Sequence, residues 1–150
     1  MDKALQVSAI KEGTVIDHIP ASRLFEVINI LDLQNCHEMI TFGTNLGSKK
    51  LGKKAIIKVS NRFFKEKEID KIALIAPNAK LNTIRNFEVV EKRVVEIPNE
   101  IIGIVKCFNP KCITNHEKIE TRFTVISKEH IELKCRFCEK ITDEEHVVIN

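Results

Sequence analysis

A chain of 150 residues, 43% of them hydrophobic, can bury a real core, either as one domain or as two small ones. No apolar run approaches the roughly eighteen residues of a membrane-spanning helix, and Met1-Asp2-Lys3 leads into no apolar signal core, so a soluble, cytoplasmic protein is expected. The formal charge of +3 comes from 24 basic and 21 acidic residues, and residues 101–150 hold eight of each; the surplus is N-terminal, which argues against a phosphate-reading basic face in the C-terminal third.

Residues 5–10 read as a short strand, Gly13 offers a turn, and residues 14–19 read as a second extended segment stopped by Pro20. Leu24, Val27, Ile28 and Leu31 then recur at helical spacing, with Ser22 as the expected N-cap. Residues 39–46 and 55–59 are strand-like and joined by a polar, glycine-containing connection over 47–54. Ile69, Ile72, Ala73 and Ala76 mark a second helix over 65–75, ended by Pro77. Residues 81–85 and 87–90 form a tight strand pair across Asn86. The order β-α-β-β-α-β with additions predicts an α+β fold: a ferredoxin-like antiparallel sheet with two helices on one face.

Residues 94–99, with Pro98, read as a linker, which divides the chain into domains 1–97 and 98–150. Beyond it, residues 101–106, 118–126, 130–135 and 146–149 look like strands of a small all-β module. That module carries Cys107, Cys112, Cys135 and Cys138, two close pairs separated by 22 residues. Each pair can present two sulfurs from one turn to a common point, which predicts one structural Zn²⁺ per chain in a tetrahedral four-cysteine site. Two disulfides belong to oxidising compartments, and a catalytic zinc usually keeps an open position with His or a carboxylate among its ligands. His116 stands near Cys112, but four thiolates already complete the shell. With zinc bound, the module carries a net charge of about −2, and Lys106, Lys111, Lys134, Arg136 and Lys140 lie within two residues of a ligand, as charge compensation or as ordinary solvated side chains.

No glycine-rich phosphate loop, nucleophile elbow or His-Glu-x-x-His motif is present. Cys36 beside His37 has no further partner nearby in sequence and reads as a structural thiol rather than a nucleophile. Asp17-His18, ahead of a proline bend, either edges a pocket, Asp accepting from sugar hydroxyls and His donating to phosphate, or is a solvated strand end. Lys58 and Lys92 at strand ends add phosphate-directed charge or face solvent. The chain reads as a binder.

The run Leu5-Gln6-Val7-Ser8-Ala9-Ile10 followed by Gly13-Thr14-Val15-Ile16-Asp17-His18-Ile19-Pro20 closely resembles the regulatory chain of aspartate carbamoyltransferase. Ile56-Ile57-Lys58, Ala73-Leu74-Ile75-Ala76-Pro77, Asn82-Thr83-Ile84, the Cys107-x4-Cys112 pair and Leu133-Lys134-Cys135-Arg136-Phe137-Cys138 extend the resemblance over nearly the whole chain. It implies a non-catalytic allosteric subunit in pyrimidine biosynthesis, with CTP inhibiting and ATP activating. Its N-terminal domain would pair with a second regulatory chain, and its zinc domain would dock on the catalytic chain, where carbamoyl transfer occurs. Neither nucleic acid nor membrane is an implied partner. Carried over by position, the resemblance assigns Asp17 and Lys58 to the ribose and His18 and Lys92 to the phosphates. It assigns Ala9, Ile10, Phe87 and Val89 to the base, largely through main-chain groups, with Asn82 and Ile84 close by.

Overall fold

The computed structural model describes residues 9–150, which divide into two compact units, the first ending at Glu96 and the second spanning Ile97–Asn150. The strand expected over residues 5–10 lies mostly outside the described residues; Ala9 and Ile10 precede the first strand without joining one.

In the first unit, β1 (Gly13–Pro20), α1 (Leu24–Ile30), β2 (Ile40–Ser48), β3 (Gly52–Ser60), α2 (Glu66–Ile75), β4 (Lys80–Arg85) and β5 (Glu88–Val94) follow in order. Every pairing in the sheet is antiparallel, in the order β2-β3-β1-β4-β5, which is the ferredoxin-like arrangement with one added edge strand. Burial alternates along β3: Ala55, Ile57 and Val59 are fully buried while Ile56 and Lys58 are not. Those residues join Ile16, Ile19 and Leu81 with Leu24, Val27, Ile69, Ile72 and Ala73 of the two helices in the apolar interior. The opposite sheet face carries a smaller cluster of Ile10, Val15 and Ile84, with Ile56 packed against it.

Local details depart from the sequence-based expectations for identifiable reasons. Ser22 is not an N-cap: Pro20 is followed at once by a 3-10 turn, Ala21–Arg23, which holds Ser22 inside it and delivers the chain to α1 with no side-chain cap. The polar connection expected over 47–54 shrinks to three residues, since β2 and β3 continue as a ladder through Ser48 paired with Gly52. At α2, the Lys65 amide N–H donates to the Glu68 carboxylate at 3.2 Å, satisfying a helix-start donor. The β4–β5 turn is made by Asn86 and Phe87, both with positive φ (51° and 66°), as a two-residue turn matched to strand twist requires. Phe87 is thus a turn residue and not the start of β5.

The second unit has a four-stranded antiparallel sheet, β10-β9-β8-β6, built from β6 (Glu100–Ile102), β8 (Arg122–Ser127), β9 (Glu132–Cys135) and β10 (Ile141–Asp143). A two-stranded ladder pairs β7 (Val105–Lys106) with β11 (Val148–Ile149). The single strand expected over 101–106 is divided by Gly103, whose φ of 70° turns the chain from one sheet into the other. The Gly103 amide donates to Thr121 O at 2.8 Å, and buried Thr121 returns its hydroxyl to Val105 O at 2.6 Å. Phe123, Ile101, Ile104 and Leu133 form the small interior. No helix among the described residues is long and apolar enough to cross a membrane.

Gly13 lies in the middle strand of the first unit at φ 140°, and a Cβ there would meet Val59 O at 2.1 Å. Gly13→Ala is expected to destabilise the protein by more than about 2 kcal/mol, because backbone rather than a flexible side chain blocks the space. Urea denaturation checks this; a change below about 0.5 kcal/mol would contradict the close approach.

Candidate functional site

Two sites emerge, one in each unit. In the second unit, Cys107 follows β7, Cys112 opens a 3-10 turn (Ile113–Asn115), Cys135 ends β9 and Cys138 lies on the turn beyond it. Their sulfurs all lie within 4.8 Å of one another, and Cys107–Cys138 and Cys112–Cys135 approach to 3.7 Å. Four sulfurs about 2.3 Å from a common tetrahedral centre stand about 3.8 Å apart, so the donors present fit a zinc ion. All four thiols are free, and Cys107, Cys112 and Cys135 are buried.

The loops are fixed by their own backbone. Asn115 donates its amide to Cys107 O at 3.1 Å and Asn109 O at 2.7 Å, and Cys112 N–H donates to Asn109 O at 3.0 Å. Around the second pair, Glu139 N–H reaches Cys135 O and Cys135 N–H reaches Lys140 O, both at 3.0 Å, while Glu139 takes a left-handed φ of 64° to close the knuckle. Phe137 N–H points at Cys135 Sγ at 3.4 Å, and the Thr114 hydroxyl lies 3.2 Å from Cys112 Sγ.

Burial pushes the Cys107 and Cys135 thiols up. At Cys138 burial acts the same way, but the Lys140 amide, the Asn109 side chain and the neighbouring thiols outweigh it and bring the group down to about 7. Zinc supplies the positive charge that holds buried sulfurs as thiolates and cross-links the β7, β9 and Cys112 loops.

In the first unit, strand register builds a ligand-sized face on the side of the sheet away from the helices. Lys58, Val15, Asn82 and Lys92 are direct cross-strand partners on β3, β1, β4 and β5, so they form one row on one face. Two residues to one side along β1, Asp17 is opposite Lys80, which is opposite Val94. Two residues to the other side, Gly13 is opposite Ile84, which is opposite Val89. The face is therefore polar and cationic at the Asp17 end and apolar at the Ile84 end, about 13 Å apart at strand rise.

At the polar end Asp17, His18, Lys80, Asn82, Lys92, Arg93 and Val94 line a cavity of about 410 Å³. A β-bulge creates its rim: Asp17 and His18 occupy the register interval between Ile16–Ile57 and Ile19–Ala55, and His18 has φ 59°. The Asp17 carboxylate accepts from His18 N–H at 2.7 Å and pairs with Lys54 Nζ at 3.0 Å. His18 Nδ1 stands 3.5 Å from that carboxylate and has no hydrogen-bond partner among the described residues. Burial, with Lys54, Lys80 and Lys50 nearby, holds the His18 imidazole below its ordinary pKa against the pull of Asp17, so it is neutral at pH 7. Burial also lowers Lys58, partly offset by Asp17.

Of the residues singled out from the sequence, Asp17, His18, Asn82 and Lys92 share this cavity. Lys58 is one strand further along the same row, and Ile10 packs with Ile84 in the apolar cluster. Val89 is exposed opposite Ile84, and Ala9 is exposed just ahead of Ile10. Phe87 is exposed on its turn, whose Asn86 and Phe87 amides are anchored to the Glu12 carboxylate and Lys11 O. Sequence reasoning missed Lys80 and Arg93. Lys80 could have been found by period-2 alternation with Asn82. Arg93 makes a bidentate pair with Glu66 of α2 and also lines the cavity.

A ferredoxin-like unit with a polar cavity on its open sheet face, followed by a small β unit built on four cysteines placed to hold a metal, has the organisation of a binding chain with a structural metal. Residues 5–96 match the family described as aspartate carbamoyltransferase regulatory chain, allosteric domain, and residues 99–148 match its metal binding domain. The chain belongs to the family of aspartate carbamoyltransferase regulatory chains, and is a non-catalytic member of such assemblies. It is 57% identical to the aspartate carbamoyltransferase regulatory chain of Phocaeicola vulgatus over 145 residues, 97% of this chain and 94% of that one. The regulatory chain of Bacteroides fragilis is 53% identical over 147 residues (98% and 96%), and that of Pyrococcus abyssi 52% over 148 residues (97% of each).

Cys112→Ser and Cys138→Ser are each expected to lose stoichiometric zinc and the fold of the second unit, since metal binding contributes on the order of 10 kcal/mol to such sites. Metal analysis with circular dichroism tests this; a full zinc complement in either variant would contradict the four-sulfur centre.

Proposed function

We propose that the first unit binds CTP and ATP on the face built by β3, β1, β4 and β5, and that the second unit conveys the response to a catalytic chain of aspartate carbamoyltransferase. The setting is pyrimidine biosynthesis in the cytoplasm. The observation that carries this reading is the polarity gradient across one sheet face. An apolar end formed by Ile10, Ile84 and Val89 suits a base, and the opposite end, where Lys80 and Lys92 carry the charge beside His18, suits phosphates. Lys58, in the middle row, and the Asp17 carboxylate at the polar end suit ribose hydroxyls. Main-chain groups of Ala9, Ile10 and Phe87, the Phe87 N–H aside because it already donates to Lys11 O, supply donors and acceptors that tell amino from keto edges, so base selectivity is modest while the phosphates contribute shared affinity.

Partner surfaces support the rest of the proposal. β2 is an edge strand, and Phe25, Met39 and Phe42 beside it are exposed, with the two phenyl rings edge to face at 6.2 Å. Such an edge suits a second regulatory chain. Phe108, Ile113 and Phe137 are exposed on the loops that carry the cysteines, and they suit docking on the catalytic chain. Coupling between nucleotide and catalytic sites of about 1–3 kcal/mol gives a several-fold to hundred-fold change in affinity.

His18→Ala and Lys92→Ala should each weaken CTP and ATP binding about tenfold while zinc content stays complete. Calorimetry decides this, and unchanged affinities would remove both residues from the site. Co-purification with the catalytic chain and activity curves with and without the two nucleotides test the regulatory role.

The lowered His18 pKa gives a pH dependence with a definite sign. A bound polyphosphate favours imidazolium, so binding takes up a proton and tightens as pH falls through the His18 pKa, below 6.5. His18→Ala should flatten that part of the profile between pH 7.5 and 5.5, measured as the difference from the unmodified chain; identical profiles would contradict it.

A further inference from the structure

The β4–β5 turn reaches past the end of the middle strand. β1 begins at Gly13, opposite Ile84, so Asn86 and Phe87 have no ladder partner on it, and Arg85 opposite Glu88 closes the turn. Both turn residues have positive φ, a conformation that is costly for a phenylalanine and persists where neighbouring groups over-determine it. Those groups come from the two residues just ahead of Gly13. Lys11 O accepts the Phe87 N–H at 3.0 Å, and the Glu12 carboxylate accepts the Asn86 N–H.

Glu12 is itself fixed from two directions. Its carbonyl accepts from Asn61 N–H at 2.9 Å, and its second carboxylate oxygen stands 3.6 Å from Arg85 Nη1. Arg85 in turn lies over the Phe63 ring, 4.0 Å from its centroid. Because Lys11 and Glu12 directly follow Ala9 and Ile10, the clamp ties the Phe87 main chain to the segment carrying the other main-chain groups of the apolar end.

We infer that Glu12 is a positioning residue for base selectivity: by holding the Asn86 amide it fixes the turn against residues 9–12, so that amino and keto base edges are not accepted equally. Donors and acceptors fixed before the ligand arrives reject the wrong edge, because reversed polarity leaves a group unpaired, whereas groups free to turn meet either edge. The ion pair with Arg85 is substantially exposed and contributes little by itself; it aims the carboxylate at the turn. The inference rests on the nucleotide reading of this face and adds to it the side chain that sets which base edge is preferred.

The test compares CTP with UTP and ATP with ITP, pairs that share their phosphates and differ in the polarity of one base edge, by calorimetry on the full chain, Glu12→Ala and Glu12→Gln. The unmodified chain is expected to prefer the amino member of each pair by about tenfold. Glu12→Ala should reduce that preference below about threefold, while Glu12→Gln, which keeps an oxygen acceptor for the Asn86 N–H, should retain most of it. Inorganic tripolyphosphate should bind both variants within about twofold of the unmodified chain. Amide hydrogen exchange without ligand reads the clamp directly: Asn86 should exchange about tenfold faster in Glu12→Ala and near the unmodified rate in Glu12→Gln. Equal Asn86 exchange in all three chains would overturn the assignment. So would a Glu12→Ala variant that weakens both members of each pair, and tripolyphosphate, by one common factor, or that leaves both preferences unchanged; nucleotide binding would stand in either case. If the unmodified chain binds none of the four nucleotides, the nucleotide reading falls and the assignment with it.

Discussion

Strand β1 is hydrogen-bonded along both edges, to β3 and to β4, so any irregularity in it is imposed on the middle of the sheet. The bulge at Asp17–His18 is such an irregularity. One surplus residue on that strand swings the His18 backbone into the left-handed region, while the Asp17 carboxylate caps the His18 amide that the ladder no longer serves. On the β4 side the register continues unbroken to Asp17–Lys80, so the disturbance opens the sheet only toward β3. The helix-facing residues Ile16 and Ile19 are both fully buried on either side of it. The bulge is what allows that: with two residues between them instead of one, both isoleucines reach the interior only because the extra residue is absorbed locally.

The second unit solves a different problem. It has few large buried side chains, so sulfur positions and interior must be specified together. Asn115 illustrates the economy of the arrangement, since one side-chain amide satisfies the carbonyls of both Cys107 and Asn109 and thereby shapes the first ligand loop. The β9 ladder ends at Cys135 itself, which ties the second ligand pair to the sheet that buries Phe123 and Leu133. Core and metal centre form one cooperative object.

How much of this could be read beforehand follows from the range of the interaction concerned. The cysteine quartet was legible because each pair is a local turn motif and the ligand chemistry needs no knowledge of the rest. The ferredoxin-like order was legible from alternation and helical spacing. Asp17, His18, Asn82 and Lys92 were singled out, partly on resemblance, and the sheet gathers them at one cavity. Period-2 alternation puts Lys80 on the face of Asn82, but only cross-strand register sets it opposite Asp17 at the cavity. Ser22 misled because its capping chemistry is right but Pro20 starts a 3-10 turn one residue too early. Gly103 was read as a residue inside a strand, although its left-handed φ is what allows two sheets to share one stretch of chain.

The Asn86–Phe87 turn has a consequence for engineering. A phenylalanine at φ 66° is held about 1–2 kcal/mol above what glycine would require there, so the simplest way to a more heat-resistant chain runs through this position. Yet its exposed ring and anchored amide lie at the apolar end of the face read as nucleotide-binding. Thermal resistance and ligand preference would then be selected against each other at one residue, and a variant library screened only for melting temperature would drift away from regulation without any sign of damage to the fold.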